Sequence, residues 1–200
     1  MSETEIRNEK NIDIEEWDNE SILSGLINSQ HKAIDAVKGS LKEVENAVSL
    51  AVTKIQNNSS SKIVYVGSGT SGRIGILDGV ELIPTFGWPN ERLKFCFSGK
   101  DISKPSEGSE DDIELAKHDF HKSNISSSDV VICIAASGTT KYTVNILEMA
   151  KKIGALTIAI IGNGLILLHV SPFYTQIVTG CIILIAIWLN RRYFQNSIKT

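Results

Sequence analysis

The chain has 200 residues, 42% of them hydrophobic and 22% charged, with a formal net charge of -3. That length buries a substantial core and that composition is ordinary for a globular domain, which excludes a disordered chain and a small disulfide-stapled scaffold. The slightly acidic balance gives no electrostatic footprint for nucleic acid.

Charge is spread unevenly. Residues 1 to 20 hold eight acids and two bases, whereas no Asp, Glu, Lys or Arg occurs from Ile153 to Asn190. Cys96, Cys133 and Cys181 are odd in number, widely spaced and free of a C-x-x-C pattern. They read as buried small hydrophobes in a reducing compartment. The first residues, MSETEIRNEKNIDIEE, lack the basic region and apolar run of a secretory signal, so a cytoplasmic protein is expected.

In chain order, residues 1 to 20 read as a polar arm with Ile6, Ile12, Ile14 and Trp17 as its apolar points, packed on another element or a partner subunit. Ile34, Val37, Leu41, Val44, Val48, Val52 and Ile55 recur every three or four residues and predict one face of a long helix. NNSSS at Asn57 to Ser61 breaks it. Strand and helix patterns then alternate: strand 63–66, helix 72–83, strand 93–98, helix 111–122, strand 130–135, helix 140–153 and strand 155–161. Such alternation predicts a parallel sheet with helices on both faces, with ligands at the carboxyl ends of its strands.

Two strand ends carry candidate chemistry. In VYVGSGTSGRIG, Gly67, Ser68, Gly69, Thr70, Ser71 and Gly72 lie between strand and helix, where glycines admit a close ligand and free amides attract an anion. The loop also fits G-x-G-x-x-G, but three hydroxyls crowd it and no acid ends the next strand, so a phosphomonoester is favoured over NAD. In IAASGTTKYT, Ser137, Gly138, Thr139 and Thr140 repeat the setting, and Arg73 and Lys141 either add charge or stay solvated. Glu81, late in an apolar helix, is expected to be partly buried and suited to donate a proton. Glu107, Glu110, Asp111 and Asp112 form an acidic group whose default role is a helix N-cap. His118 and His121 lack a third ligand, and no metal is assigned.

Taken together, TEIRN at Thr4 to Asn8, Ile27 with Asn28, VYVGSGTSGRIGILDGVELIPTFG, EGSEDD and IAASGTTKYT resemble the N-acetylmuramic acid 6-phosphate etherases, the lyase branch of the sugar isomerase (SIS) domain family, over residues 3 to 162. The resemblance implies cleavage of the D-lactyl ether to give N-acetylglucosamine 6-phosphate and D-lactate, a step in cell-wall amino sugar recycling. It implies Glu81 as acid and Glu110 as base, with Glu107 the neighbour to exclude. It places the 6-phosphate on Ser68, Gly69, Thr70, Ser71, Ser137, Gly138 and Thr140, requires no cofactor, and implies a homodimer formed through the N-terminal elements. A non-catalytic sugar-phosphate sensor is the alternative, as is an inactive fusion product.

This sequence departs from the family pattern at Leu82, Ile83, Pro84, where Cys-Pro-Pro is common, and at Thr139, where Arg is usual. From Gly162 onward the family's later segments are missing, and Asn163 to Phe194 resembles the end of ribose-type ABC sugar transporter permeases. The expected organisation is therefore an arm and long helix (1–57), a truncated SIS-type α/β domain (58–162) and a hydrophobic tail (163–200), the mark of a gene fusion or deletion. Phe173 to Leu189 is uncharged and flanked by Arg191 and Arg192, so membrane contact is expected there, with a buried core helix as the alternative.

Overall fold

The computed structural model describes residues 14–99, 101–104 and 108–161. The TEIRN segment, Glu107 and the tail from 163 onward, with its expected membrane contact at 173–189, lie outside them. Among the described residues no helix is long and apolar enough to cross a membrane.

The long helix expected from the apolar spacing is two helices, α1 (Asn19–Gly39) and α2 (Leu41–Gln56). Asp18 caps the first by accepting from the Ser21 amide at 2.9 Å. The break falls at Gly39 and Ser40, where a weak helix former meets a residue whose hydroxyl bonds back to the Ala36 carbonyl at 3.3 Å. The remaining elements follow the expected alternation: β1 (Ile63–Gly67), α3 (Gly69–Phe86), β2 (Leu93–Phe97), a 3₁₀ turn (Ser109–Asp111), α4 (Ile113–Lys122), β3 (Val130–Ala135), α5 (Lys141–Lys152) and β4 (Leu156–Ile161). Helix α3 runs through Pro84 and stops at Gly87, whose left-handed φ of 64° lets its amide and that of Trp88 return to the Ile83 and Leu82 carbonyls.

All pairings are parallel, in the order β2-β1-β3-β4. Alternation of side chains sorts the core into two halves. Val64, Val66, Cys96, Val131 and Cys133 face Ala116 and Phe120 of α4 and Tyr142, Ile146 and Ala150 of α5. Ile63, Tyr65, Leu93, Val130, Ile132 and Ile134 face Leu82 of α3 and Ala51 and Ile55 of α2. The result is the expected three-layer α/β arrangement, with α2 completing one layer.

Buried polar groups fix the ends of the strands. Asp129 is fully buried, accepts from the Lys62 amide (2.8 Å) and the Ser126 amide (2.7 Å), and pairs with Lys62 Nζ at 3.2 Å. It thereby ties the starts of β1 and β3. Deeper in, the Tyr65 hydroxyl donates to Asp78 Oδ2 at 2.8 Å across the α3–sheet interface. Burial pushes the Asp78 carboxyl up to about 6, only partly offset by the Tyr65 bond. Burial, then the Asp78 charge, raises the Tyr65 hydroxyl as well.

Two outcomes follow from these groups. Asp129→Ala, which leaves Lys62 without its partner and two amides without an acceptor, lowers unfolding free energy by about 3 kcal/mol in chemical denaturation. Because the folded carboxyl of Asp78 holds its proton more tightly than the unfolded one, its contribution to stability is present at low pH and is lost as pH rises through about 6. Asp78→Asn therefore gains in Tm on the parent between about pH 4 and about pH 7, a gain absent if Asp78 titrates normally.

Candidate active site

In a doubly wound sheet the crevice opens where the winding reverses. Here β1 leads through α3 to β2 on one side, and β3 leads through α5 to β4 on the other, so the reversal lies between β1 and β3. Gly67, last residue of β1, stands beside Ile134, and the two glycine and hydroxyl loops emerge next to each other.

The first loop is built by close approach. A Cβ on Gly67 would stand 2.7 Å from the Gly72 Cα and 3.0 Å from the Ile134 carbonyl oxygen. Ser68 occupies the N-cap of α3 without making a side-chain cap bond, and its Oγ is buried with no partner among the described residues. Gly69 follows in the left-handed region at φ 54°. Thr70 is exposed, Ser71 is half-buried, and the first-turn amides of α3 have no acceptor within the helix. An unpaired buried hydroxyl beside free amides is a site made to donate to an anion.

The second loop repeats the arrangement. Ser137 Oγ accepts from the Thr139 amide (3.2 Å) and hydroxyl (2.9 Å), which leaves its own proton to donate. Gly138 turns the chain at φ 69°, and Thr140 is the N-cap of α5 with no side-chain cap bond. One turn on, the Thr143 hydroxyl is buried and also unpartnered among the described residues. Thr143 was not singled out from the sequence; its place three residues after the cap, in the first turn of α5, is the only signal that pointed to it.

The acidic group separates into three tasks. Asp112 caps α4 by accepting from the Leu115 amide at 2.9 Å, and Asp111 pairs with Lys141 across the loops at 3.6 Å. Glu110 turns the other way: its Oε1 lies 2.5 Å from where a Cβ on Gly69 would stand. The carboxylate therefore rests on the first loop, beside the positive end of the α3 dipole. A groove of about 1290 Å³ runs along β2 and α4, from Ser98, Ser109 and Asp112 near the 3₁₀ turn to Lys62 and Asn124 at the other end, and neither Glu110 nor the two loops line it.

Two expectations are corrected. Glu81 is exposed rather than partly buried, because the inner face of α3 is Gly72, Gly75, Asp78, Gly79 and Leu82 and residue 81 falls off that stripe. It also lies more than three turns beyond Gly69, about 18 Å along the helix axis, so a single chain does not bring it to Glu110. Arg73 is half-buried rather than left wholly to solvent, and it donates to the Ile102 and Lys104 carbonyls. His118 Nδ1 sits 3.1 Å from Asp119 Oδ1, and no group of three His, Cys, Asp or Glu among the described residues is placed to hold a metal.

The sequence matches the family model of the glucokinase regulatory protein N-terminal SIS domain over residues 43–151. Relatives named N-acetylmuramic acid 6-phosphate etherase include those of Listeria welshimeri (37% identical, covering 88% of this chain and 60% of the relative), Geobacillus thermodenitrificans (38%, 88% and 60%) and Deinococcus radiodurans (37%, 72% and 47%). The chain thus spans about half to three fifths of the length of these relatives. Similar folds occur in a candidate sugar-phosphate isomerase of Listeria monocytogenes (TM-score 0.55, 21% identity, 88% of this chain and 93% of the other) and a candidate phosphosugar isomerase of Bacteroides fragilis (TM-score 0.54, 20% identity, 89% and 90%).

The loop glycines differ in what a methyl group would meet. At Gly67 it would strike backbone, which cannot yield; at Gly69 it would strike the end of the Glu110 side chain and incur left-handed strain of about 1–2 kcal/mol. Urea denaturation should therefore show Gly67→Ala losing clearly more stability than Gly69→Ala.

Proposed function

The chain belongs to the SIS domain family represented by the glucokinase regulatory protein N-terminal domain, and from that premise we propose that it is a carbon–oxygen lyase that cleaves the D-lactyl ether of N-acetylmuramic acid 6-phosphate. The observation that carries this reading is the Glu110 carboxylate resting on a loop whose buried Ser68 hydroxyl has no partner among the described residues. A phosphate holder and a base stand together, as the elimination needs.

Ser68, Gly69, Thr70 and Ser71, with Ser137, Gly138 and Thr140, hold the 6-phosphate through hydroxyls and first-turn amides. Glu110 takes the proton from C2. The electron pair forms the C2–C3 double bond, the C3–O bond breaks, and Glu81 protonates the departing lactate oxygen. Water then adds across the double bond, its oxygen bonding to C3 as Glu81 takes its proton and Glu110 returns a proton to C2, giving N-acetylglucosamine 6-phosphate and D-lactate. No metal or nucleotide takes part in these steps.

Glu81 cannot serve the same sugar ring as Glu110 of its own chain, so a second copy supplies it. The homodimer is supported by apolar side chains exposed around Glu81, Leu77 and Val80 on α3, and by Leu23 and Ile27 on α1. A phosphorylated sugar substrate and unpaired buried thiols at Cys96 and Cys133 fit the cytoplasm.

Purified protein incubated with N-acetylmuramic acid 6-phosphate releases D-lactate, and Glu81→Gln and Glu110→Gln each lower kcat by about 100-fold or more. Mixing the two variants under conditions that exchange subunits restores about a quarter of the parent activity, since half the dimers then hold one intact site of two. Folded protein that binds sugar phosphate yet releases no lactate would point instead to a sensor.

A further inference from the structure

Arg73 lies in the GSGTSGR motif but takes no part in the chemistry above. Its guanidinium, half-buried on the second turn of α3, donates from Nε to the Ile102 carbonyl at 2.7 Å and from Nη2 to the Lys104 carbonyl. Those carbonyls belong to a turn that Asp101 organises. The Ser103 amide and hydroxyl both donate to Asp101 Oδ1, at 2.9 and 2.7 Å, and the Lys104 amide donates to the Asp101 carbonyl at 3.2 Å. The same connection leaves β2 at Ser98 and returns at Ser109, where the two hydroxyls meet at 3.5 Å. Glu110 is the next residue.

The 101–104 turn is thus held to α3, and the described ends of the connection, Ser98 and Ser109, are held to each other. Among the described residues no carboxylate pairs with Arg73, and its Nε and Nη2 are given to these two carbonyls. Because α3 also begins with the phosphate loop, the grip joins the element that binds phosphate to the element that carries the base. We propose that Arg73 is a positioning residue: by clamping the 101–104 turn to α3 it sets the place of Glu110 over the phosphate loop. This rests on the lyase reading for its catalytic consequence but not for the clamp itself.

The test compares Arg73→Lys, Arg73→Gln and Asp101→Ala, the last of which dismantles the turn while keeping the guanidinium. All three are expected to lower kcat by about tenfold to a hundredfold with KM and inhibition by inorganic phosphate changed less than about twofold. Hydrogen exchange at residues 101–104 and 108–110 is expected to quicken in each. An Arg73→Gln enzyme with normal kcat overturns the proposal, as does one with weakened phosphate inhibition beside a normal Asp101→Ala, which would make Arg73 a phosphate ligand. If the parent protein releases no lactate, the lyase reading fails, and exchange alone decides: an unchanged pattern in Arg73→Gln overturns the clamp, and faster exchange confined to this loop supports it. Should Arg73→Gln not fold, Arg73→Lys and Asp101→Ala carry the same readouts.

Discussion

Helix α3 lies against the sheet along a face almost without side chains, and the rest of the molecule depends on that contact. A Cβ on Gly72 would stand 2.6 Å from the Phe97 ring, one on Gly75 would stand 2.9 Å from Ile134 Cδ1, and one on Gly79 would stand 2.6 Å from the Phe95 ring. Packing at this distance is possible only where the helix offers glycine. It brings the start of α3 over the end of β1, and farther along the helix the Tyr65 hydroxyl bonds Asp78 across the same interface. Such tight docking fixes the first helical turn against the sheet.

Function and stability occupy opposite ends of the strands. At the amino ends, Asp129 with Lys62, and Arg92 with the Ser61 carbonyl (2.8 Å) and the Trp88 ring (4.6 Å), lock the chain through buried polar contacts. At the carboxyl ends, the hydroxyls of Ser68 and Thr143 are buried with no partner in the described residues. Arg92 Nη2 is also buried without a partner among the described residues, but the two unpartnered hydroxyls lie where the loops converge, within reach of a ligand. The 3₁₀ turn that carries Glu110 is held there from two sides, by Ser98 and by Lys141, while Arg73 grips the 101–104 turn that precedes it.

Much of this was legible in the residues. Continuous apolar runs at Ile63 to Val66 and Val130 to Ala135, with helical spacing between, permit few arrangements besides a parallel sheet, and the structure has one. The two strand-to-helix loops were legible because glycine and hydroxyl residues cluster there against apolar runs. The division of labour within the acidic group was not, because Glu110, Asp111 and Asp112 are chemically alike and adjacent; only the turn into α4 sends one to a cap, one to Lys141 and one to Gly69. The break between α1 and α2 was hidden as well, since the apolar spacing continues across Gly39 and Ser40.

Sequence alone determined the layers, the order of elements and the two strand-to-helix loops proposed to hold phosphate, because each of these follows from periodicity and from residue types that only certain backbones accept. Tertiary structure decided which side chains meet. The exposure of Glu81 depends on which stripe of α3 faces the sheet, and the grip of Arg73 depends on a turn thirty residues away in the chain. Contacts of that kind are set by how elements dock, a property that local pattern does not encode.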